Sequence, residues 1–251
     1  MAQRWPEVLW VVRHGESLGN VARDAAHEAG HTHIETGGRD VDVPLSPLGE
    51  RQARALGRWF GQLPLEERPE AILCSPYRRA LRTAQLVAEA GRLPLRPCLD
   101  ERLREKEFGI LDRLTRHGIT ALHPDQAEFR RILGKFYHRP PGGESWCDVI
   151  LRLRSALDTI VLHHAGQRVL VVAHQVVVLC MRYLLENMDE AAILAVDAEG
   201  DVPNCGVTEY RLDPTRGRDG SLRLVHANWV APLEEEGAPV TAEPDQVTGA
   251  R

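Results

Sequence analysis

Three short stretches of this 251-residue chain carry side chains suited to joint chemistry. Arg13-His14-Gly15-Glu16 closes an apolar run, residues 8–12. Ser75 closes another, with Arg78 and Arg79 just after it. His174 closes a third, residues 168–173. Imidazole is a competent nucleophile, and a covalent intermediate divides one displacement into two. Guanidinium groups pair bidentately with phosphate oxygens. The combination points to phosphoryl transfer with His14 as acceptor, a reaction that otherwise needs positioning and charge stabilisation. A leaving alkoxide also needs a proton, which calls for a carboxylic acid. Glu101, Glu105 and Glu107, with Asp100 and Asp112, crowd one charged stretch, and spacing alone does not choose among them.

These groups converge only if the strands that carry them end on one side. Apolar runs at residues 8–12, 70–74 and 168–173 alternate with helical patterns, which predicts a mostly parallel sheet. In such a sheet, ligands bind beyond the strand C-termini. The expected fold is α/β: a three-layer α/β/α sandwich. Residues 205–212 and 221–230 read as a hairpin that adds antiparallel strand at an edge. Helices are expected over residues 18–28, from Ser46-Pro47 to about Phe60, and from Ser75-Pro76 to about Ala90. In the latter two, Ser serves as N-cap and Pro sits at the first turn. A short strand is expected at residues 93–98. Trp146, Val149, Ile150, Leu153, Leu157, Ile160 and Val161 recur at helical spacing and mark a core face.

Residues 1–232 are read as a single catalytic domain, with a charged insertion over the sheet at about 99–141. Residues 233–251, poor in large apolar side chains, are read as a disordered tail. The hydrophobic fraction of 43% and charged fraction of 27% are those of a globular protein. A net charge of -5 argues against general nucleic-acid binding. No apolar run reaches the ~18–20 residues of a membrane span. The N-terminus lacks a signal-peptide apolar region. The five cysteines are scattered and read as reduced packing residues, as expected of a cytoplasmic protein. His31 and His33 form a His-x-His pair without the carboxylates or cysteines of a metal site, so no metal and no cofactor are expected. Self-association stays open.

Taken in order, the motifs resemble the histidine phosphatase superfamily, in its phosphoglycerate mutase-like branch. Arg13-His14-Gly15-Glu16-Ser17 with Asn20 resembles its signature. Asp42-Val43-Pro44-Leu45-Ser46 with Gly49 resembles the segment after its first helix. The stretch from Ser75-Pro76-Tyr77-Arg78-Arg79 to Ala84 resembles its second-arginine motif. Glu105-Lys106-Glu107-Phe108-Gly109 resembles its acid motif, and Gly142-Gly143-Glu144-Ser145 the start of its long helix. Val171-Val172-Ala173-His174 resembles its second-histidine motif. The likeness spans about residues 7–230.

The resemblance implies that His14 accepts the phosphoryl group while Arg13 and Arg79 clamp its oxygens. Arg79 is preferred over Arg78 because the family's arginine directly precedes the alanine; Arg78 is read as a surface charge. His174 would bind the transferring oxygens, and Glu105, with Glu107 as its rival, would act as general acid and then base. Asn20 would contact phosphate or substrate, with Ser17 and Glu144 as further contacts. Gln175 stands where the family commonly has glycine, so its side chain either points away or narrows the pocket and adds a polar contact. The implied activity is metal-independent phosphomonoester hydrolysis of a small phosphorylated metabolite. Phosphoglycerate mutase-type transfer is the alternative. It is disfavoured because Glu105-Lys106-Glu107-Phe108-Gly109 lacks the Arg-His-Tyr segment of the cofactor-dependent mutases. A catalytically quiet phospho-ligand-binding module is the third reading.

Overall fold

The structure, a computed structural model, describes residues 4–217 and 219–242. In chain order β1 (Val8–Arg13), α1 (Leu18–Glu28) and α2 (Pro47–Gln62) lead into β2 (Ala71–Cys74), α3 (Arg78–Ala90) and β3 (Cys98–Leu99). Two helices of the insertion follow, α4 (Arg116–Leu122) and α5 (Pro124–Tyr137), then α6 (Trp146–His163) and β4 (Arg168–Ala173). The chain continues through α7 (Gln175–Leu185), α8 (Glu190–Glu199), β5 (Val207–Asp213), β6 (Ser221–Trp229) and α9 (Ala231–Glu235).

The strands form one sheet in the order β3-β2-β4-β1-β5-β6. β3, β2, β4 and β1 are mutually parallel, while β5 and β6 add antiparallel pairs at one edge. The central strands are apolar on both faces because both are covered. Leu9 and Val11 of β1 pack with Val169 and Val171 of β4 against Trp146, Leu153 and Val177 of α6 and α7. Val8, Trp10 and Val12 face Phe60, Ala84 and Val87 of α2 and α3. Burying each such side chain contributes roughly 1.5–3 kcal/mol, which fixes register, because a one-residue slip would exchange the two faces.

That register sets the site. Arg13 pairs with Ala173 and Cys74 with Val172, so the residues that follow, His14, His174 and Ser75, leave the sheet along one edge. The turn after β1 also needs close backbone approach. A Cβ on Gly15 would stand 2.5 Å from the Gly49 carbonyl oxygen, and one on Gly49 would stand 2.0 Å from that of Glu16. The nucleophile loop therefore crosses the first turn of α2 through a glycine–glycine contact.

Three expectations need correction, and one helix of the insertion carries a break. The strand expected at residues 93–98 shrinks to Cys98–Leu99, since Pro94 and Pro97 have no N–H for a ladder. Ser75 does not cap α3. That helix begins at Arg78, with Tyr77 in the N-cap position, and the Ser75 hydroxyl is turned instead to His174. α5 breaks at Gly134, whose φ of 78° is left-handed. Residues 233–242 are not a loose tail. Leu233 is fully buried in the α2–α3 core, Ala238 packs against that core, and Glu236 is held by Arg58 and Gln62 of α2. Leu233, Glu236, Ala238, Pro239 and Thr241 all find partners that a composition average does not register. The remainder of the expected tail, 243–251, lies outside the described residues.

Candidate active site

His14 is fully buried at the end of β1. Its Nδ1 lies 2.7 Å from the Gly15 carbonyl oxygen. A carbonyl only accepts, so Nδ1 carries the proton and Nε2 keeps its lone pair. Arg79 supports the same tautomer, donating from Nε to His14 Nε2 over 3.1 Å. His174 stands beside it, with ring centroids 5.1 Å apart, and its Nε2 is 2.8 Å from Ser75 Oγ. Tyr77 closes this side, its ring edge-on to His174 at 5.1 Å and beneath the Arg79 guanidinium at 5.0 Å. Burial pushes the Tyr77 phenol far up, and the carboxylates of Asp40, Glu107 and Glu105 add to this against Arg79. The phenol stays protonated at neutral pH, and both candidate acids lie within its electrostatic reach.

Both terminal nitrogens of Arg79 also reach Asp40. Nη1 meets the Asp40 carbonyl at 2.7 Å and Oδ1 at 3.0 Å, and Nη2 meets Oδ2 at 3.0 Å. Arg79 thus presents to Asp40 the forked geometry that suits a phosphate equally well. Arg13, also fully buried, donates from Nη1 to the Val202 carbonyl at 2.6 Å.

On the acid side, Glu105 is 1% exposed and accepts the Lys106 amide at 2.8 Å, whereas Glu107 is exposed. The backbone of this segment is gathered by Arg152 of α6, which reaches the carbonyls of Arg102 and Glu105. Arg152 also pairs with Glu144 at 2.9 Å, and Glu144 in turn accepts from Arg104 and from the Glu107 amide. Burial works against ionisation of Glu144. The Arg152 hydrogen bonds, then the charges of Arg152 and Arg104 with the Glu107 amide, nonetheless hold its carboxyl below the usual range.

Residues 9–223 match the family model of the histidine phosphatase superfamily (branch 1). The chain belongs to that superfamily. It is 31% identical over 175 residues to a probable phosphoglycerate mutase GpmB of Yersinia enterocolitica, covering 69% of this chain and 72% of the relative. Among solved structures it resembles Bacillus stearothermophilus YhfR, with a TM-score of 0.70, 27% identity, and coverage of 90% of this chain and 98% of that one. It also resembles a mycobacterial glucosyl-3-phosphoglycerate phosphatase in complex with inorganic phosphate. There the TM-score is 0.67 and the identity 25%, over 90% of this chain and 99% of that one.

In this superfamily member, the structure brings His14, Arg79 and His174 together with Ser75 and Tyr77, and it places Glu105 on the Tyr77 side. The four further expected contacts each have a structural partner. Ser17 and Asn20 form a reciprocal cap on α1: Ser17 Oγ accepts the Asn20 amide at 3.1 Å and Asn20 Oδ1 accepts the Ser17 amide at 2.9 Å. Glu144 belongs to the Arg152 clamp. Gln175 opens α7 and donates to Asp201 at 2.8 Å, so it ties the sheet edge to the loop behind Arg13. Sequence reasoning missed Asp40, Tyr77 and Arg152. Tyr77 was visible inside its motif. Asp40 lies in a stretch without period, where nothing local marks it.

Proposed function

We propose that this chain hydrolyses the phosphomonoester of a small metabolite through a phosphohistidine at His14, with no metal or other cofactor. The Nδ1–Gly15 carbonyl hydrogen bond supports this most directly, because it leaves the Nε2 lone pair facing Arg79 and His174. In the first step His14 Nε2 attacks phosphorus and the P–O ester bond breaks. Glu105, protonated beforehand, gives its proton to the departing alkoxide. Arg13, Arg79 and His174 stabilise the charge on the equatorial oxygens. In the second step water attacks phosphorus, the P–N bond breaks, and the Glu105 carboxylate takes the water proton. The phosphate released in the second step is inorganic. Glu105 is favoured over Glu107 by its burial beside the site. Resemblance to a phosphatase holding inorganic phosphate supports hydrolysis. Likeness to a probable phosphoglycerate mutase supports a second reading, in which the phosphoryl group returns to another substrate oxygen.

Turnover of p-nitrophenyl phosphate in the presence of a chelator, with an acid-labile phosphoenzyme, is the expected result. His14→Ala should lower that turnover at least about 10⁴-fold, the scale at which a covalent nucleophile is lost, and should abolish the phosphoenzyme. Near-normal turnover by His14→Ala would remove the nucleophile assignment. Isomerisation of 3-phosphoglycerate with a bisphosphorylated primer, and no net phosphate release, would replace hydrolysis by mutase activity. Glu105→Gln should slow alkyl phosphates by about 10²–10⁴-fold and p-nitrophenyl phosphate much less. Equal loss on both would assign the proton to another group.

A further inference from the structure

The nucleophile loop is held from behind by the last described stretch of the chain. Residues 231–241 run along α2 from its C-terminal end, where Glu236 meets Arg58 and Gln62, to its first turns, where Gln52 lies fully buried. There the hydroxyl of Thr241 makes two bonds at once. It accepts from Gln52 Nε2 at 2.9 Å and donates to Asn204 Oδ1 at 3.0 Å. The Thr241 carbonyl also accepts the Asn204 amide at 2.8 Å, and the Pro239 carbonyl accepts from Gln52 Nε2 at 3.0 Å.

Each amide so held spends its other end on the loop. Gln52 Oε1 accepts the Glu16 N–H at 2.9 Å, and Asn204 Nδ2 donates to the His14 carbonyl at 3.1 Å. The Glu16 N–H and the Gly15 C=O belong to one planar peptide. Fixing the first therefore fixes the direction of the second, which is the acceptor for His14 Nδ1. The preceding peptide is fixed likewise, its carbonyl by Asn204 and its N–H by Thr83 Oγ1 at 3.1 Å. The bonding also sets the orientation of both amides. The Glu16 N–H and the Pro239 carbonyl turn the Gln52 oxygen to the loop, the His14 carbonyl turns the Asn204 nitrogen to it, and the hydroxyl, both donor and acceptor, bridges the ends left over.

We propose that Thr241 is a positioning residue for the nucleophile. Acting through Gln52 and Asn204, it holds the two peptides that aim the His14 imidazole. Its place in catalysis rests on the phosphohistidine reading, while its hold on the ring does not. Without the hydroxyl, Gln52 and Asn204 keep their bonds to the loop, and Gln52 its bond to the Pro239 carbonyl, but they lose the bridge that ties their outer ends together. The Gly15–Glu16 peptide then rocks, the Nδ1–H bond weakens, and Nε2 spends less time in line with phosphorus. Small misplacements of a reacting group reduce rate far more than binding.

The test uses the full chain with Thr241→Val, which keeps shape and removes both hydroxyl bonds, Thr241→Ala, and Thr241→Ser, which keeps them. Two readouts are taken. The first is the rapid-quench rate of phosphoenzyme formation and the kcat and KM for p-nitrophenyl phosphate. The second is the NMR shift and solvent exchange of the His14 Nδ1 proton, which needs no turnover. Val and Ala should lower the phosphorylation rate about tenfold with KM within about twofold. They should speed Nδ1 proton exchange by about tenfold or more, and Ser should restore both. An unchanged Nδ1 proton in both Val and Ala variants would overturn the proposal whatever the activity. So would a Ser variant as impaired as Val. Absence of any phosphoenzyme in the unsubstituted protein, with the Nδ1 proton still responding to Thr241, would retire the phosphohistidine reading and leave the positioning role standing.

Discussion

The two halves of the site are built on opposite principles. Around the His14 loop, side chains from α2, α3 and the loop after α8 bond to the backbone, backed by Thr241 after α9, and these groups are neutral amides and hydroxyls. Around Glu105, two cations, Lys106 and Arg130, are held where burial opposes their charge. Lys106 is 5% exposed and has its ammonium over the Phe108 ring at 4.4 Å. Burial, then the charge of Arg130, bring its pKa down to about 8. Burial likewise brings Arg130 down to about 10, against the pull of Asp197, and one of its nitrogens is buried without a hydrogen-bond partner. The difference separates two tasks. A nucleophile must be aimed, and neutral hydrogen bonds aim it at low desolvation cost. The acid side instead holds positive charge in a dry setting, where it costs stability and acts strongly on whatever enters.

Substitutions can break this contrast. The largest effect is expected at Arg152, which joins the acid segment's carbonyls to Glu144. Arg152→Met leaves Glu144 buried beside Arg104 alone and frees the carbonyls of Arg102 and Glu105. Breaking such a pair costs about 3–5 kcal/mol, readable as a lower denaturation midpoint, and kcat on alkyl phosphates should fall with it. A stable Arg152→Met protein with normal kcat would show that the acid segment holds its own shape.

A smaller effect is expected at Asp40, where the two halves meet. Its carboxylate occupies the Arg79 fork that phosphate would use. Asp40→Asn should tighten inhibition by inorganic phosphate by up to about tenfold, the scale of a part-exposed ion pair. Weaker inhibition would mean that Asp40 orients Arg79 rather than competing for it.

The smallest effect is a pH dependence. Lys106 has a folded pKa near 8 against an ordinary 10.5, so between these values the unfolded chain holds a proton that the folded chain has lost. Stability carried by this group therefore rises with pH across that window and is depressed below it. Lys106→Met should remove the rise and be relatively most stabilising near neutral pH. Parallel stability–pH curves for the two proteins would show that the ammonium is solvated in the folded state.

What the sequence disclosed follows the range of the interactions. β1 and β4 were legible because burial on both faces leaves an unbroken apolar run, and the cap at Ser46 because a cap is settled within three residues. The site histidines were legible because each follows such a strand directly. Ser75 misled because the local rule, a serine before proline, competes with His174, 99 positions away. Gln52, Asn204 and Thr241 were illegible for the same reason. Gln52 and Thr241 are separated by 189 residues, and no period or spacing joins them. Arg152 lay hidden in a helix whose apolar stripe drew attention to its neighbours.

The aromatic packing on α2 has a practical corollary. Trp59 meets Trp229 at 5.1 Å with ring planes at 84°, beside Leu63 and Ala238 in the core cluster that also holds Leu233. Two indoles so close couple their electronic transitions, and that coupling depends steeply on their mutual angle. The pair spans the seam between α2, which carries Gln52, and the chain segment that leads to Thr241. Near-ultraviolet circular dichroism and indole emission should therefore act as a built-in optical gauge of whether that segment is seated. The gauge reads without a label and in the absence of substrate.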